Sequence, residues 1–227
     1  MVAGLLLTGG KSRRMRKDKA TLTLNGVTFV EIVSSAFRNS LVETVFEVGP
    51  QFSTFPSVLE NEKGSGPLHA VAAGWTAIKN LGLYCPVIVL TCDMPYVNGK
   101  LVNYLANFNG VAGINGVEIN GVGINGAGMS KSGTVEVWKD KSVIPVVDSF
   151  IQPLCARWSP QDLDKILELV ESGEKSMKSA VSKDSVFLEE NDSWQTFGGK
   201  RAFMDVDYLV DYEKLVKPFS ELTLSEN

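Results

Sequence analysis

The residues Val2-Ala3-Gly4-Leu5-Leu6-Leu7-Thr8-Gly9-Gly10-Lys11-Ser12-Arg13-Arg14-Met15-Arg16-Lys17-Asp18-Lys19 decide the fold. The first six form a short apolar run. It breaks at Thr8-Gly9-Gly10 and passes into a stretch rich in Lys and Arg. A buried strand that ends in a glycine turn and then exposes cations reads as a phosphate site. Glycines let backbone N–H groups approach phosphate oxygens, and Arg and Lys neutralise the charge. The spacing is neither the G-x-x-x-x-G-K-S/T of a Walker A loop nor the G-x-G-x-x-G of a dinucleotide fold.

Strand and helix patterns alternate from there. Residues 2–8 read as the first strand. Phe29 to Phe37 has helical spacing after the turn pair Asn25-Gly26, and Thr44 to Val48 is a second strand ending at Gly49-Pro50. Val58-Leu59 is a short third one. Gly64-Ser65-Gly66-Pro67 is a second glycine loop, with Pro67 placed for the first turn of a helix that runs from Leu68 to about Leu81. Pro86 to Leu90 is a continuous apolar run, as expected of a central parallel strand covered on both faces, and it ends at Thr91-Cys92-Asp93-Met94-Pro95. Such alternation implies a three-layer α/β sheet.

The second half is less regular. Val97 to Phe108 reads as helix, and residues 162–171 as amphipathic helix. Val143–Val147 and Leu154–Trp158 read as strands around a turn at Asp148-Ser149, with a late strand at Val186–Leu188. Phe203 to Asp207 reads as the last strand and Tyr208 to Val216 as the last helix. Between about 110 and 140 lies a Gly/Asn-rich insertion of near-repeated Ile-Asn-Gly units, whose turn dipeptides leave room only for a small β excursion. It is expected to be peripheral to catalysis. The domain reading is therefore 1–217 as one domain carrying this insertion, and 218–227 as a tail.

Ligands of open α/β sheets sit at the carboxyl ends of the strands. Three features fall there: Thr8 to Lys19, Gly64 to Leu68, and Cys92 to Pro95. A carboxylate directly after a buried central strand is poorly explained by folding, because Asp is a poor strand residue. It makes sense as a ligand for Mg²⁺, which prefers one or two carboxylates plus phosphate oxygens and water. Phosphoryl chemistry of this kind asks the protein for positioning and charge. Arg13, Arg14 and Lys19 would supply cations, the Gly9 and Gly10 amides donors, and Asp93 the metal site. Ala20, Leu22 and Leu24 would fix the stem of Lys19 by packing. Arg16 and Lys17 read as a solvated face.

Bulk properties narrow the partners. The chain has 227 residues, is 44% apolar and carries a net charge of −4, so the basic start is a local feature of an acidic protein. That favours a small anionic ligand over nucleic acid or a membrane. Cys85, Cys92 and Cys155 are odd in number and lack metal-ligand spacing, which reads as reduced and cytosolic.

The pattern T-G-G-K-S-R-R-M-x-x-D-K-A, here Thr8 to Ala20, resembles the molybdenum cofactor guanylyltransferases of the nucleotidyltransferase superfamily. Gly66-Pro67-Leu68 resembles the family's G-P-L, and Cys92-Asp93-Met94-Pro95 its C-D-x-P. Gln152-Pro153-Leu154-Cys155-Ala156 resembles its Q-P-L-C-A, and Asp205-Val206-Asp207 its late N/D-x-N/D element. The resemblance implies a Rossmann-like nucleotidyltransferase fold with a mostly parallel mixed sheet. It implies transfer of GMP from GTP to molybdopterin with release of pyrophosphate and with Mg²⁺ on Asp93, and docking to other molybdenum cofactor proteins would fit it. Arg13, Lys19 and Asp93 would be catalytic. Leu7, Thr8, Gly9, Gly10, Ser12, Arg13, Lys19, Asn61, Gly66, Pro67, Leu68 and Asp93 would line the nucleotide. Gln152, Pro153, Asp205 and Asp207 would face the acceptor. The sequence departs from the family at Arg16, where Gly is usual, at Asn61 for Asp, at His69 for Ala, and at Tyr208-Leu209-Val210 for Thr-Pro-Glu. Transfer to a phosphate anion needs no general base, so His69 reads as a helix-start residue. The alternatives are another NTP transferase, using CTP or a different phosphorylated acceptor, and a non-catalytic nucleotide-binding homologue.

Overall fold

A computed structural model describes residues 1–9, 19–60, 65–108, 118–119, 122–123 and 141–216. The first half contains β1 (Ala3–Leu7), β2 (Thr23–Leu24), β3 (Val27–Thr28), α1 (Phe29–Arg38), β4 (Thr44–Val48), β5 (Ser57–Val58), α2 (Pro67–Asn80), β6 (Val87–Thr91) and α3 (Gly99–Asn107). The second contains β7 (Glu118–Ile119), β8 (Val122–Gly123), β9 (Val143–Val147), β10 (Phe150–Ile151), β11 (Ala156–Trp158), α4 (Pro160–Glu171), β12 (Val186–Glu189) and α5 (Leu209–Val216).

The main sheet runs β10-β9-β11-β6-β1-β4-β5, with β12 paired to β9. β1 is parallel to both β4 and β6, β5 continues in parallel beyond β4, and β12 is parallel to β9; β11 runs antiparallel between β6 and β9. The sheet is thus mixed and mostly parallel, as expected. Because side chains alternate along a strand, Ala3, Leu5 and Leu7 of β1 join α2 and α4 in one core, while Leu6 joins α1 and α3 in the other. β6 divides in the same way, with Val87 and Val89 on the first face and Ile88 and Leu90 on the second. This is why both strands read as unbroken apolar runs. Local chemistry starts the helices. Thr28, Asn98 and Ser159 cap α1, α3 and α4 through their side-chain oxygens, and Pro67 and Pro160 open α2 and α4.

Two expectations are corrected. The limb after β9 does not become one strand at Leu154. The Asp148-Ser149 turn, with φ of 48° and 68°, leads straight into β10, and Gln152 to Cys155 form a bulge before β11. The stretch from Phe203 to Asp207 is not a strand. A 3-10 turn ends at Phe203, and of the residues beyond it Val206 donates its N–H to Asp93 O at 3.0 Å. Phe203 and Val206 are inside, while Met204 and Asp205 are exposed, a spacing of three that is not the period of two of a strand. Its neighbour is a loop, so no ladder forms. In the insertion, β7 and β8 pair antiparallel, in keeping with a small β excursion; the rest of it and the tail lie outside the described residues.

Close approach of α2 to the sheet depends on Gly74. A Cβ there would lie 2.5 Å from Leu5 Cδ2 and 3.0 Å from Val48 Cγ2, and both side chains are fully buried. Gly74→Ala is expected to destabilise by about 1–3 kcal/mol through overpacking, less the helix-propensity gain of up to about 1 kcal/mol. A urea midpoint below that of the parent with an unchanged slope checks this; an equal or higher midpoint contradicts it.

Candidate active site

The chain leaves β1 toward β4 and β5 on one side and returns to β6 on the other. The carboxyl ends of β1 and β6 therefore flank the point where strand order reverses, the ligand crevice of an open α/β sheet. Cys92 N donates to Leu7 O at 3.0 Å, which ties the two ends together. Asp93 stands directly beyond β6. Its Oδ1 accepts from Thr91 Oγ1 at 2.5 Å, and its Oδ2 accepts from Lys19 Nζ at 2.8 Å. Lys19 also donates to Asp207 Oδ1 at 2.6 Å. Three residues far apart in sequence, Lys19, Asp93 and Asp207, thus meet at one point.

Packing anchors the turn that carries this cation. Lys19 begins a short 3-10 turn whose next residue, Ala20, is fully buried, and Leu22 packs with Phe29 and Val206. Burial works against the charge on Lys19, but the Asp93 and Asp207 carboxylates outweigh it and hold the pKa above its ordinary value. Thinned hydration, and then the negative charges of Asp207 and Asp93, push the Asp205 carboxyl above the usual carboxylate range, with Lys19 opposing.

The donors suit a hard divalent cation. Asp93 and Asp207 each place a carboxylate oxygen within 2.8 Å of one position, which the Lys19 ammonium holds. Among the described residues no group of three or more His, Cys, Asp or Glu is placed to hold a metal. Mg²⁺ needs only one or two carboxylates when phosphate oxygens and water complete its shell.

Glu47 is a residue that sequence reading missed. It sits in β4 with no exposed surface and accepts from Thr8 Oγ1 at 2.9 Å, Phe52 N at 2.7 Å, Ser53 N at 2.8 Å and Ser53 Oγ at 2.5 Å. One buried carboxylate thereby locks the loop after β4 to the end of β1. The signal was available: Glu47 is a charge inside the apolar strand Thr44-Val45-Phe46-Glu47-Val48. Thr91, which orients Asp93, was missed as well, because a Thr at a strand end is unremarkable by itself.

The side chains of several residues expected at the nucleotide have partners within the protein. Leu7, Thr8 and Leu68 are buried. Leu7 and Leu68 pack in the core, and the Thr8 hydroxyl is bonded to Glu47 and, at 3.0 Å, to Pro50 O. The side chains of these three point into the protein, beneath the carboxyl end of β1. The Gly9 N–H donates to Val48 O at 3.2 Å and so is committed to the protein. A Cβ on Gly9 would fall 1.9 Å from Glu60 Oε1, the far end of a flexible side chain that would have to swing away. Gly66 caps α2 with φ of +113°, and it and Pro67 remain partly exposed at the sheet edge. Gln152 donates its side-chain amide to Phe150 O, and the Pro153 carbonyl accepts from Trp158 Nε1, so both help to build the bulge. Asp205 is exposed, whereas Asp207 joins Lys19. His69 lies in α2 along an open groove with Val58, Ala73 and Leu167, and its buried Nδ1 has no hydrogen-bond partner among the described residues. Gly10, Ser12, Arg13, Arg14 and Asn61 lie outside the described residues.

A crevice at the strand-order reversal, with a packed Lys between two carboxylates, fits a phosphate-handling α/β enzyme of the nucleotidyltransferase type. Comparison with known proteins agrees. The family model for the MobA-like NTP transferase domain matches residues 4–186, and the chain belongs to that family. A probable molybdenum cofactor guanylyltransferase of Clostridium perfringens is 26% identical over 219 residues, covering 93% of this chain and 94% of the relative. One from Mycobacterium tuberculosis is 39% identical over 111 residues, covering 46% of this chain and 55% of the relative. Among solved structures, molybdopterin-guanine dinucleotide biosynthesis protein A of Archaeoglobus fulgidus superposes with a TM-score of 0.66 at 17% identity, covering 97% of this chain and all of the other. The 2-C-methyl-D-erythritol 4-phosphate cytidylyltransferase of Thermus thermophilus superposes with a TM-score of 0.55 at 13% identity, covering 95% and 97%.

Proposed function

We propose that this enzyme transfers GMP from GTP to molybdopterin and releases pyrophosphate. The observation that carries the reading is the convergence of Lys19, Asp93 and Asp207 at the crevice between β1 and β6, in a chain whose full-length relatives are named as molybdenum cofactor guanylyltransferases. In the reaction an oxygen of the acceptor phosphate attacks the α-phosphorus of GTP, and the bond to the β-phosphate oxygen breaks. The protein's work is to hold the two substrates in line and to neutralise charge. Lys19 is a charged donor held between Asp93 and Asp207, and it would turn to phosphate oxygens where the metal takes up those carboxylates. Thr91 fixes the rotamer of Asp93, and Val206 N fixes the backbone that carries it. Asp93 and Asp207 would hold Mg²⁺, which when bound supplies positive charge to the phosphate oxygens. Arg13, Ser12 and the Gly10 amide are assigned to the triphosphate, and Asn61 to the nucleoside. Among the described residues no helix is long and apolar enough to cross a membrane. The three free buried thiols fit a reducing compartment, the cytosol.

The cytidylyltransferase neighbour keeps CTP as the second reading. Pyrophosphate release from each of the four NTPs, with molybdopterin as acceptor, separates the two. GTP is expected to give the highest kcat/KM. A higher value with CTP moves the assignment to cytidylyl transfer, and no release with any NTP refutes transferase activity toward this acceptor.

A further inference from the structure

We infer that Arg201, held by Tyr96, binds the phosphate of the acceptor; this rests on the transferase reading above. β11 is antiparallel to both β6 and β9, so β9 ends on the same edge as β6. Asp148, just past β9, is on that edge, and Lys200 Nζ pairs with its Oδ1 at 3.0 Å. Arg201 follows Lys200. Its guanidinium carbon lies 3.9 Å from the centroid of the Tyr96 ring, and its Nη2 donates to the Tyr96 hydroxyl. Tyr96 is three residues beyond Asp93, and Arg201 is six residues before Asp207. The pair thus lies on the β6 and β9 side of the reacting edge.

Charge then decides what this half of the edge can bind. Asp93 and Asp207 meet at it, Asp205 feels both of their charges, and Asp148 stands just past β9, so an anionic acceptor would be repelled unless a cation answers it. Lys19 is engaged by Asp93 and Asp207, and Lys200 by Asp148. Arg201 has no carboxylate partner among the described residues; its partners are the ring and hydroxyl of Tyr96. Stacking holds the guanidinium plane in place while its remaining N–H groups stay exposed. The Tyr96 hydroxyl, already accepting from Arg201, keeps its own proton to donate. A pre-oriented planar fork with a neighbouring O–H suits a phosphate monoester.

The test is pyrophosphate release and direct calorimetric binding of molybdopterin to wild type, Arg201→Ala, Arg201→Lys and Tyr96→Phe, with each substrate varied in turn. Loss of a charge-assisted contact should raise the molybdopterin KM and Kd of Arg201→Ala by about 10- to 100-fold. The KM for GTP should stay within about twofold. Arg201→Lys should recover only part of the loss, because an ammonium keeps the charge without the planar fork. Tyr96→Phe should give a smaller rise, since the ring remains. An unchanged molybdopterin KM and Kd in Arg201→Ala overturns the assignment, as does an equal rise in the KM for GTP, which would report a general distortion. If wild type binds molybdopterin but releases no pyrophosphate, the transferase reading fails, and the Kd comparison still judges Arg201. A wild type that binds no molybdopterin overturns both.

Discussion

Asp93→Asn is expected to lower pyrophosphate release from GTP by about two to three orders of magnitude, the scale of losing one fixed electrostatic contact to developing charge. Asn has nearly the same shape. Thr91 can still donate to its Oδ1, and Val206 N still bonds the backbone carbonyl, so the loop should keep its form. The negative charge at the end of β6 is what disappears. Lys19 retains Asp207, so the stability cost should be that of one hydrogen-bonded ion pair out of two, about 1–3 kcal/mol. The experiment is a GTP titration of pyrophosphate release at saturating Mg²⁺, with urea unfolding of the same sample. Turnover within threefold of wild type would falsify the assignment of Asp93 to the reacting centre. A collapse of the unfolding midpoint would instead show that its role is structural.

Glu47→Ala should give the largest loss of stability. Four donors aim at this one carboxylate, which has no exposed surface. Each stranded buried donor costs about 1–3 kcal/mol. The Phe52 and Ser53 amides are nearer the surface and can find water, so the total should settle at about 3–5 kcal/mol. That is a large share of the roughly 5–15 kcal/mol of a typical domain. Glu47→Gln should be milder, because one amide oxygen still accepts while the NH₂ group faces donors. Urea midpoints of the three proteins provide the measurement. A Glu47→Ala protein within 1 kcal/mol of wild type would mean that the loop after β4 does not depend on this network.

Both variants touch the same edge of the sheet, and they bear differently on what the sequence could reveal. Periodicity located β1, β4, β6, α1, α2 and α4 to within a residue or two, because their patterns are set by neighbours along the chain and by burial on one or two faces. It failed at Phe203 to Asp207. There buried apolar residues pack beside a loop, and a short apolar stretch cannot distinguish a loop from a strand as neighbour. It also missed the bulge at Gln152 to Cys155, whose cause is the fit of β10 and β11 to two levels of β9.

The candidate site divides in the same way. Asp93 was legible because it is a charge directly after a buried strand, and Lys19 because it closes the basic stretch that follows the glycine pair after β1. The sequence alone therefore determined an α/β sheet and placed Lys19 and Asp93 at its carboxyl edge. Tertiary structure alone decided that Asp207 shares Lys19 with Asp93 across 188 residues of chain. It also decided that Thr8, Leu7 and Leu68 face inward, that Glu47 knits two loops, and that Arg201 lies on Tyr96. Sequence patterns record whether a side chain is buried. They do not record which partner it meets when contact is made between distant segments, because that depends on the order in which strands join the sheet.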